Sequence, residues 1–389
     1  MTSETRIQIV YSSFGDGHLQ AALAVKQSFA EMGIDRVDLI DLFAEAHPRL
    51  NAASRYFYLK SAVHAPRLYG LLYRLTNRKP HGVFGRLFHS FGHRRLLESW
   101  REERPDLIIH TFPQLAADEL RRRVPHHIPT FTILTDFTLH SRWIHPRTTG
   151  YFVATEALKR ELANAGVPEH RISVTGIPVR DPFSQPMNRY ALCRAYGLDP
   201  ARRHVLIMAG AYGVQTSVRA MMETALRDTE CDLIVVCGKN RRLQQDVDAV
   251  YLVEDRVHTL GYADKVHELM AIADCMLTKA GGMTLSEALA MSLPTIVYRP
   301  LPGQESGNAE ALAKEGALGI ATTLDELSRE LQMALDPAHA ERMMAAMADV
   351  YRARSSERIA LEALRFDGTA NASAPAVFAA ERKAVGAHV

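Results

Sequence analysis

What most limits the folds open to this chain is a repeated alternation. Short β-rich apolar runs, each closed by a polar or glycine-containing loop, are followed by stretches with helical spacing. Parallel sheets built from strand–helix–strand units leave this pattern in a sequence. The first series holds Arg6–Tyr11, Val37–Ile40, Asp106–His110, Thr130–Leu134 and Tyr151–Ala154. After its first loop Leu19, Ala22, Leu23 and Phe29 recur at helical spacing, and Gly33 stops that helix. Thr155 is expected to cap a further helix that ends at Gly166. Between Val174 and Pro200 the periodicity lapses, and Pro178, Pro182, Pro186 and Pro200 mark a connection. A second series follows: His204–Ala209, Leu233–Cys237, Asp274–Thr278 and Pro294–Tyr298. The expectation is an α/β protein of two Rossmann-like domains, residues 1–185 and 186–366, facing each other across a cleft. Ligands of open α/β sheets bind at the carboxyl ends of the strands, so the site belongs in that cleft. Residues 367–389, Ala-rich with little to bury, are expected to be a flexible tail.

Composition narrows the function classes. With 46 Lys+Arg against 44 Asp+Glu in 389 residues, the formal charge of +2 is too even for a generic nucleic-acid binder. Cys193, Cys231, Cys237 and Cys275 form no CxxC pair, and the last three lie in or beside apolar runs. That usage suits a reducing compartment and neither a zinc site nor a disulfide framework. No apolar run approaches the roughly 18 residues of a membrane span, and Met1–Arg6 lacks the apolar core of a signal peptide. The expected location is therefore cytoplasmic, with contact to a membrane surface left open.

The local charge is less even. Arg49 to Arg95 holds ten basic residues, no acid and eight aromatics, so the rest of the chain sums to 36 − 44 = −8. Basic and aromatic residues in mixture suit an anionic membrane, each cation contributing about 1 kcal/mol, or stacked RNA bases. No RNA-binding motif accompanies the stretch, which favours a membrane surface met by Arg74, Arg78, Lys79, Phe84 and Phe88. Helices whose aromatics fill a core and whose arginines are solvated would account for about half of the aromatics.

Chemistry-bearing residues concentrate at the strand ends. In Leu277–Leu289 a strand enters a helix through Gly281 and Gly282, where backbone approach and a positive dipole end suit a diphosphate. Glu287, one turn inside, can accept both hydroxyls of a ribose. In the next loop Gln304, Glu305 and Asn308 carry amides and a carboxylate suited to sugar hydroxyls. Gly210 and Gly213 are placed to line the diphosphate from the other side, and Tyr262 to flank a base. His18 opens the first helix facing the cleft, and its unperturbed pKa near 6.5 suits proton exchange with a hydroxyl. Asp16 would either take that proton itself or orient His18. Asp136 and His140 form a second polar pair at a strand end, in catalysis or in capping their own loop. Asp246 and Asp248, the one Asp-x-Asp, fall on an amphipathic helix, so no metal is expected.

Thr278-Lys-Ala-Gly-Gly-Met-Thr-Leu-Ser-Glu-Ala-Leu289 and Pro302-Gly-Gln-Glu-Ser-Gly-Asn308 together resemble the donor-binding motif of the galactolipid synthases and bacterial diacylglycerol glucosyltransferases. These are relatives of the peptidoglycan lipid-intermediate N-acetylglucosaminyl transferase. Gly15-Asp-Gly-His-Leu-Gln-Ala-Ala22, Thr135–Trp143 and Val174–Val179 agree, so the resemblance spans about residues 6 to 366. It implies the glycosyltransferase B fold, a UDP-sugar co-substrate and donor contacts at Gly282, Met283, Thr284, Glu287, Gln304, Glu305 and Asn308. The implied activity is inverting transfer of a hexose, UDP-glucose before UDP-galactose, to diacylglycerol at the inner face of the cell membrane. Catalysis would fall to His18, Asp16 or Asp136. A UDP-N-acetylglucosamine 2-epimerase-like isomerase shares the two-domain plan but needs no lipid surface. A non-catalytic UDP-sugar sensor would have no use for Asp16, His18 and Asp136.

Overall fold

The computed structural model describes residues 5–13, 16–49, 51–52, 66–77, 90, 92–120, 128–212 and 217–366. The first sheet consists of β1 (Ile7–Tyr11), β2 (Val37–Asp41), β3 (Leu107–His110), β4 (Thr130–Ile133), β5 (Gly150–Val153) and β6 (Ile172–Val174), in the order β2-β1-β3-β4-β5-β6. The second consists of β7 (His204–Met208), β8 (Asp232–Val236), β9 (Val257–Leu260), β10 (Cys275–Thr278), β11 (Thr295–Tyr298) and β12 (Gly319–Ala321), in the order β12-β11-β10-β7-β8-β9. Every pairing is parallel. Inner strands such as β3, β4, β7 and β8 are buried at every residue, as a sheet covered by helices on both faces requires. The α/β fold of two Rossmann-like domains is thus present as read from the sequence.

Six helices matter for the site: α1 (Asp16–Glu31), α2 (Pro66–Asn77), α3 (Glu156–Asn164), α4 (Gly282–Ala290), α5 (Gln304–Lys314) and α6 (Ser355–Phe366). The helix-start and helix-stop signals act as expected at α3, where Thr155 Oγ accepts from Leu158 N at 3.1 Å and Gly166 adopts φ +95°. One placement differs. Residues 355–366, expected with the second domain, pack on the first, with Ile359, Ala360, Ala363 and Leu364 in one apolar cluster with Ile7, Ile9, Val25 and Phe29. The apolar face of α1 needs cover on its outer side, and α6 supplies it. The chain therefore passes between the domains twice. The two passages touch: Ser355 Oγ donates to the Ile177 carbonyl at 3.0 Å and Ser356 Oγ to that of Val179 at 3.3 Å. Gly176, at φ +84°, leaves room there, since a Cβ would lie 2.9 Å from Arg352 Cβ. Gly213, Arg78, Lys79, Phe84, Phe88 and residues 367–389 lie outside the described residues.

Candidate active site

The carboxyl ends of the two sheets meet at the starts of α1 and α4. Contact there is close because glycines carry it. A Cβ on Gly282 would sit 2.0 Å from the Thr135 carbonyl oxygen and 3.3 Å from Asp136 Oδ1, both on the loop after β4. A Cβ on Gly17 would sit 3.0 Å from Met283 Cγ. Gly281 is different: only Thr284 Oγ comes near its Cβ position, at 3.9 Å, so its side of the turn is open. The start of α4 has no side-chain cap, which leaves its first N–H groups for an anion. The two glycines thus divide their work, one facing the cleft and one receiving the other domain.

His18 is held by the first domain. Its Nδ1 lies 2.7 Å from the Thr111 carbonyl, which can only accept, so Nδ1 carries the hydrogen. Thr135 Oγ is 3.1 Å from the same nitrogen, and Thr111 Oγ returns a bond to the His18 carbonyl at 3.0 Å. Nε2 has no hydrogen-bond partner among the described residues. Burial pushes the imidazole pKa down, outweighing the upward pull of the Asp136 carboxylate and of the Thr111 carbonyl. The result is a neutral ring with a basic nitrogen to spare. The edge of Phe112 at 4.9 Å and Trp143 at 6.4 Å, centroid to centroid, fix its plane.

Asp16 and Asp136 turn to the second domain instead. Asp16 Oδ2 is 3.4 Å from Lys239 Nζ, and its Oδ1 accepts from Tyr212 Oη at 3.3 Å. Lys239 lies over the rings of both Tyr212 and Tyr262, at 5.2 and 4.7 Å. Asp136 Oδ1 accepts from Gln304 Nε2 at 2.6 Å and from Asn308 Nδ2 at 3.0 Å. Asn308 also accepts from Phe137 N at 2.8 Å and donates to the Ala280 carbonyl at 3.2 Å. The two amides read as sugar-binding groups thus meet the loop after β4 directly. His140 is a brace: its Nδ1 accepts from Arg142 N at 3.1 Å, and burial pushes its pKa down to about 4.

Glu305 and Glu287 have opposite surroundings. Glu305 pairs with Lys279 Nζ at 2.9 Å and accepts from Leu301 N at 3.2 Å. Glu287 is buried with no hydrogen-bond partner among the described residues, and burial pushes its carboxyl up to about 7 against a smaller downward pull from Arg180. A Cβ on Gly210, at φ +80°, would lie 3.1 Å from Lys279 Cε, which brings this glycine beside the Lys279–Glu305 pair. Sequence reasoning passed over Lys239, Tyr212, Thr111 and Lys279. Only Lys279 carried a signal, being two residues before the paired glycines. Asp246 and Asp248 are exposed on the helix Arg241–Val250, and no group of three metal-ligating side chains converges among the described residues.

Comparison with known proteins agrees with this geometry. Residues 18–179 match the monogalactosyldiacylglycerol (MGDG) synthase family and residues 204–360 the glycosyltransferase family 28 C-terminal domain. A Bacillus subtilis protein named processive diacylglycerol beta-glucosyltransferase is 34% identical over 371 residues, 94% of this chain and 96% of the relative. A Bacillus mycoides protein of the same name is 36% identical over 354 residues, 90% of this chain and 91% of the relative. Among solved structures, Acinetobacter baumannii MurG has a TM-score of 0.59 at 15% identity, covering 92% of this chain and 99% of that one, a likeness of fold. With both halves matched in order and a third of the residues shared along nearly the whole length, the chain belongs to the family of the galactolipid synthases and bacterial diacylglycerol glucosyltransferases.

Proposed function

We propose that this chain transfers a hexose from a UDP-sugar to the hydroxyl of diacylglycerol, with glucose favoured over galactose, at the cytoplasmic face of the cell membrane. The glucose preference rests on the names of the Bacillus relatives. A β-linked product from an α-linked UDP-sugar requires inversion, by one in-line displacement. The observation that carries the reading is His18, whose Nδ1 is occupied by the Thr111 carbonyl while Nε2 has no partner, beside the uncapped start of α4. In this mechanism the acceptor hydroxyl attacks the anomeric carbon and gives its proton to Nε2. The bond from that carbon to the diphosphate oxygen breaks, and the N–H groups at the start of α4, with Lys279 nearby, take the negative charge on UDP. Asp136 holds Gln304, the amide that would read the sugar, while Asn308, fully buried and bonded to Asp136, Ala280 and Phe137, fixes the loop behind it. Thin-layer chromatography of lipids, after incubation with labelled UDP-glucose or UDP-galactose and diacylglycerol vesicles, tests donor, acceptor and number of sugars together. An absence of any labelled glycolipid with either donor would overturn the proposal.

Glu287 gives a prediction of its own. Glu287→Ala should weaken UDP binding by about 1.5–3 kcal/mol, because the ribose hydroxyls lose a charged acceptor. The carboxyl, raised to about 7 by burial, must be ionised to accept both hydroxyls. UDP affinity should therefore rise with pH through the region below 7 and level off above it, with protons released on binding. The sign for the fold is opposite. A carboxyl raised above its unfolded value of 4.5 contributes stability below that value, lost as pH rises through about 7. Calorimetry in buffers of different ionisation enthalpy reads the released protons, and an affinity unchanged by the substitution would remove Glu287 from the ribose site.

A further inference from the structure

Gln304 stands at the end of a chain of hydrogen bonds in which each link fixes the next. The first is the backbone N–H of Phe137, which can only donate, so Asn308 turns its Oδ1 there, at 2.8 Å. Asn308 Nδ2 then faces the other way, donating to the Ala280 carbonyl at 3.2 Å and to Asp136 Oδ1 at 3.0 Å. Asn308 is fully buried and Asp136 only 5% exposed, so water does not compete for these bonds. Asp136 Oδ1, an acceptor, takes a second N–H from Gln304 Nε2 at 2.6 Å. An amide turned by half a revolution would set Oε1 against that oxygen, acceptor against acceptor. Nε2 of Gln304 is thereby committed to the first domain, while Oε1 meets no donor among the described residues. The backbone beneath is held on both sides. Gly303, at φ +108°, lies so close to α2 that a Cβ would be 2.8 Å from Tyr73 Cγ. A Cβ on Gly307 would lie 2.7 Å from Thr138 Cγ2, on the same loop as Asp136.

We propose that Asp136 is a positioning residue that sets the polarity of sugar recognition: with Nε2 of Gln304 taken by Asp136, only Oε1 faces the donor sugar, and the hydroxyl read there must donate. This rests on the reading of a UDP-hexose as donor, with Gln304 beside its sugar. A hydroxyl both donates and accepts, so the parent hexose satisfies Oε1. Fluorine in its place has no hydrogen to give, and its lone pairs oppose those of Oε1. A site built to bond a hydroxyl rejects the analogue without the hydrogen, because a polar group is then left unpaired. Asp136 and Gln304 belong to different domains, so this selectivity exists only while the two loops touch.

The test is calorimetry on the full chain without diacylglycerol, using UDP-glucose, UDP-galactose and the 3-, 4- and 6-deoxyfluoro analogues of whichever hexose binds more tightly. Affinity is the readout for a reason. Burial lowers the His18 pKa and the Asp136 carboxylate opposes it, so loss of Asp136 would change turnover by a second route. In wild type, one of the three analogues should bind about 10- to 100-fold more weakly than its parent. Asp136→Ala removes the acceptor and frees the amide to turn, so that penalty should shrink to about threefold or less. Asp136→Asn should keep it, because Asn308 Nδ2 still calls for an oxygen on its side and that oxygen still takes Gln304 Nε2. Gln304→Met, which has no Oε1, should lose the penalty even if Asp136→Ala does not fold, and circular dichroism checks each variant. If neither UDP-hexose binds, the donor reading itself falls and this inference with it. If one binds and all three analogues match it, Oε1 reads no hydroxyl, and the inference falls while the donor reading stands. A penalty that persists in Asp136→Ala, or that is lost equally in Asp136→Asn, would show that Asp136 does not act by orienting the amide.

Discussion

His18→Ala is expected to lower turnover by about 10²–10⁴-fold while leaving UDP affinity nearly unchanged, the range a positioned general base typically contributes. The imidazole is fixed through Nδ1 by the Thr111 carbonyl, so the neutral tautomer presents Nε2 as an acceptor. Burial lowers its pKa from 6.5, so protonation that would disable the base occurs only below that value. The acid limb of turnover should accordingly lie below pH 6.5 and vanish in the variant's residual activity. Asp16 is the competing base, yet it is tied across the cleft to Lys239 and Tyr212. Asp16→Asn should cost less in turnover than His18→Ala. Steady-state kinetics of the two side by side decide the matter: full turnover in His18→Ala, with loss in Asp16→Asn, moves the base to the carboxylate.

The second large effect is steric. Gly282→Ala places a Cβ 2.0 Å from the Thr135 carbonyl oxygen, far inside contact distance. The obstacle is backbone on the other domain, so no rotamer change relieves it. The domains must part there, which displaces the start of α4 from His18, and a misplacement of about 1 Å can cost 10²-fold in rate. We expect turnover to fall by about 10²-fold and small-angle scattering to report a more open molecule, with each domain still folded around its own core. Gly281→Ala is the control for shape, since that Cβ meets only Thr284 Oγ at 3.9 Å. A Gly282→Ala enzyme that is as closed and as fast as wild type would show that the touching backbones are not needed.

Much of the fold was legible because inner strands of a covered parallel sheet must be mostly apolar, and β1, β3, β4, β5, β7, β8, β10 and β11 all read as short runs rich in apolar and β-branched residues, with polar positions such as Gln8, Thr130 and Thr132 interspersed. The three strands that left no clear run, β6, β9 and β12, all lie at sheet edges. β9 is half-buried at each residue, so Val257-His-Thr-Leu260 mixes polar and apolar positions. The packing of α6 on α1 was hidden for another reason: its apolar face reports that something covers it without saying which domain. At the site, the paired glycines with Glu287, and the amides of Gln304 and Asn308, stood out by local motif. Their meeting with Asp136 did not, because 168 and 172 residues separate the partners. Nor did the division between Gly281 and Gly282, which depends on a carbonyl from the other sheet.

The two passages of the chain between domains set how the enzyme can move. A single linker would let one lobe swing and swivel freely about the other. Here the segment around Gly176–Val179 and the segment around Arg352–Ser356 lie side by side, pinned by two serine hydroxyls. Two strands fixed at one place behave as a door hinge: bending about their common line stays easy, while twisting and sliding are resisted. Opening and closing then reduce to nearly one coordinate, and every closure returns the start of α4 to the same face of His18.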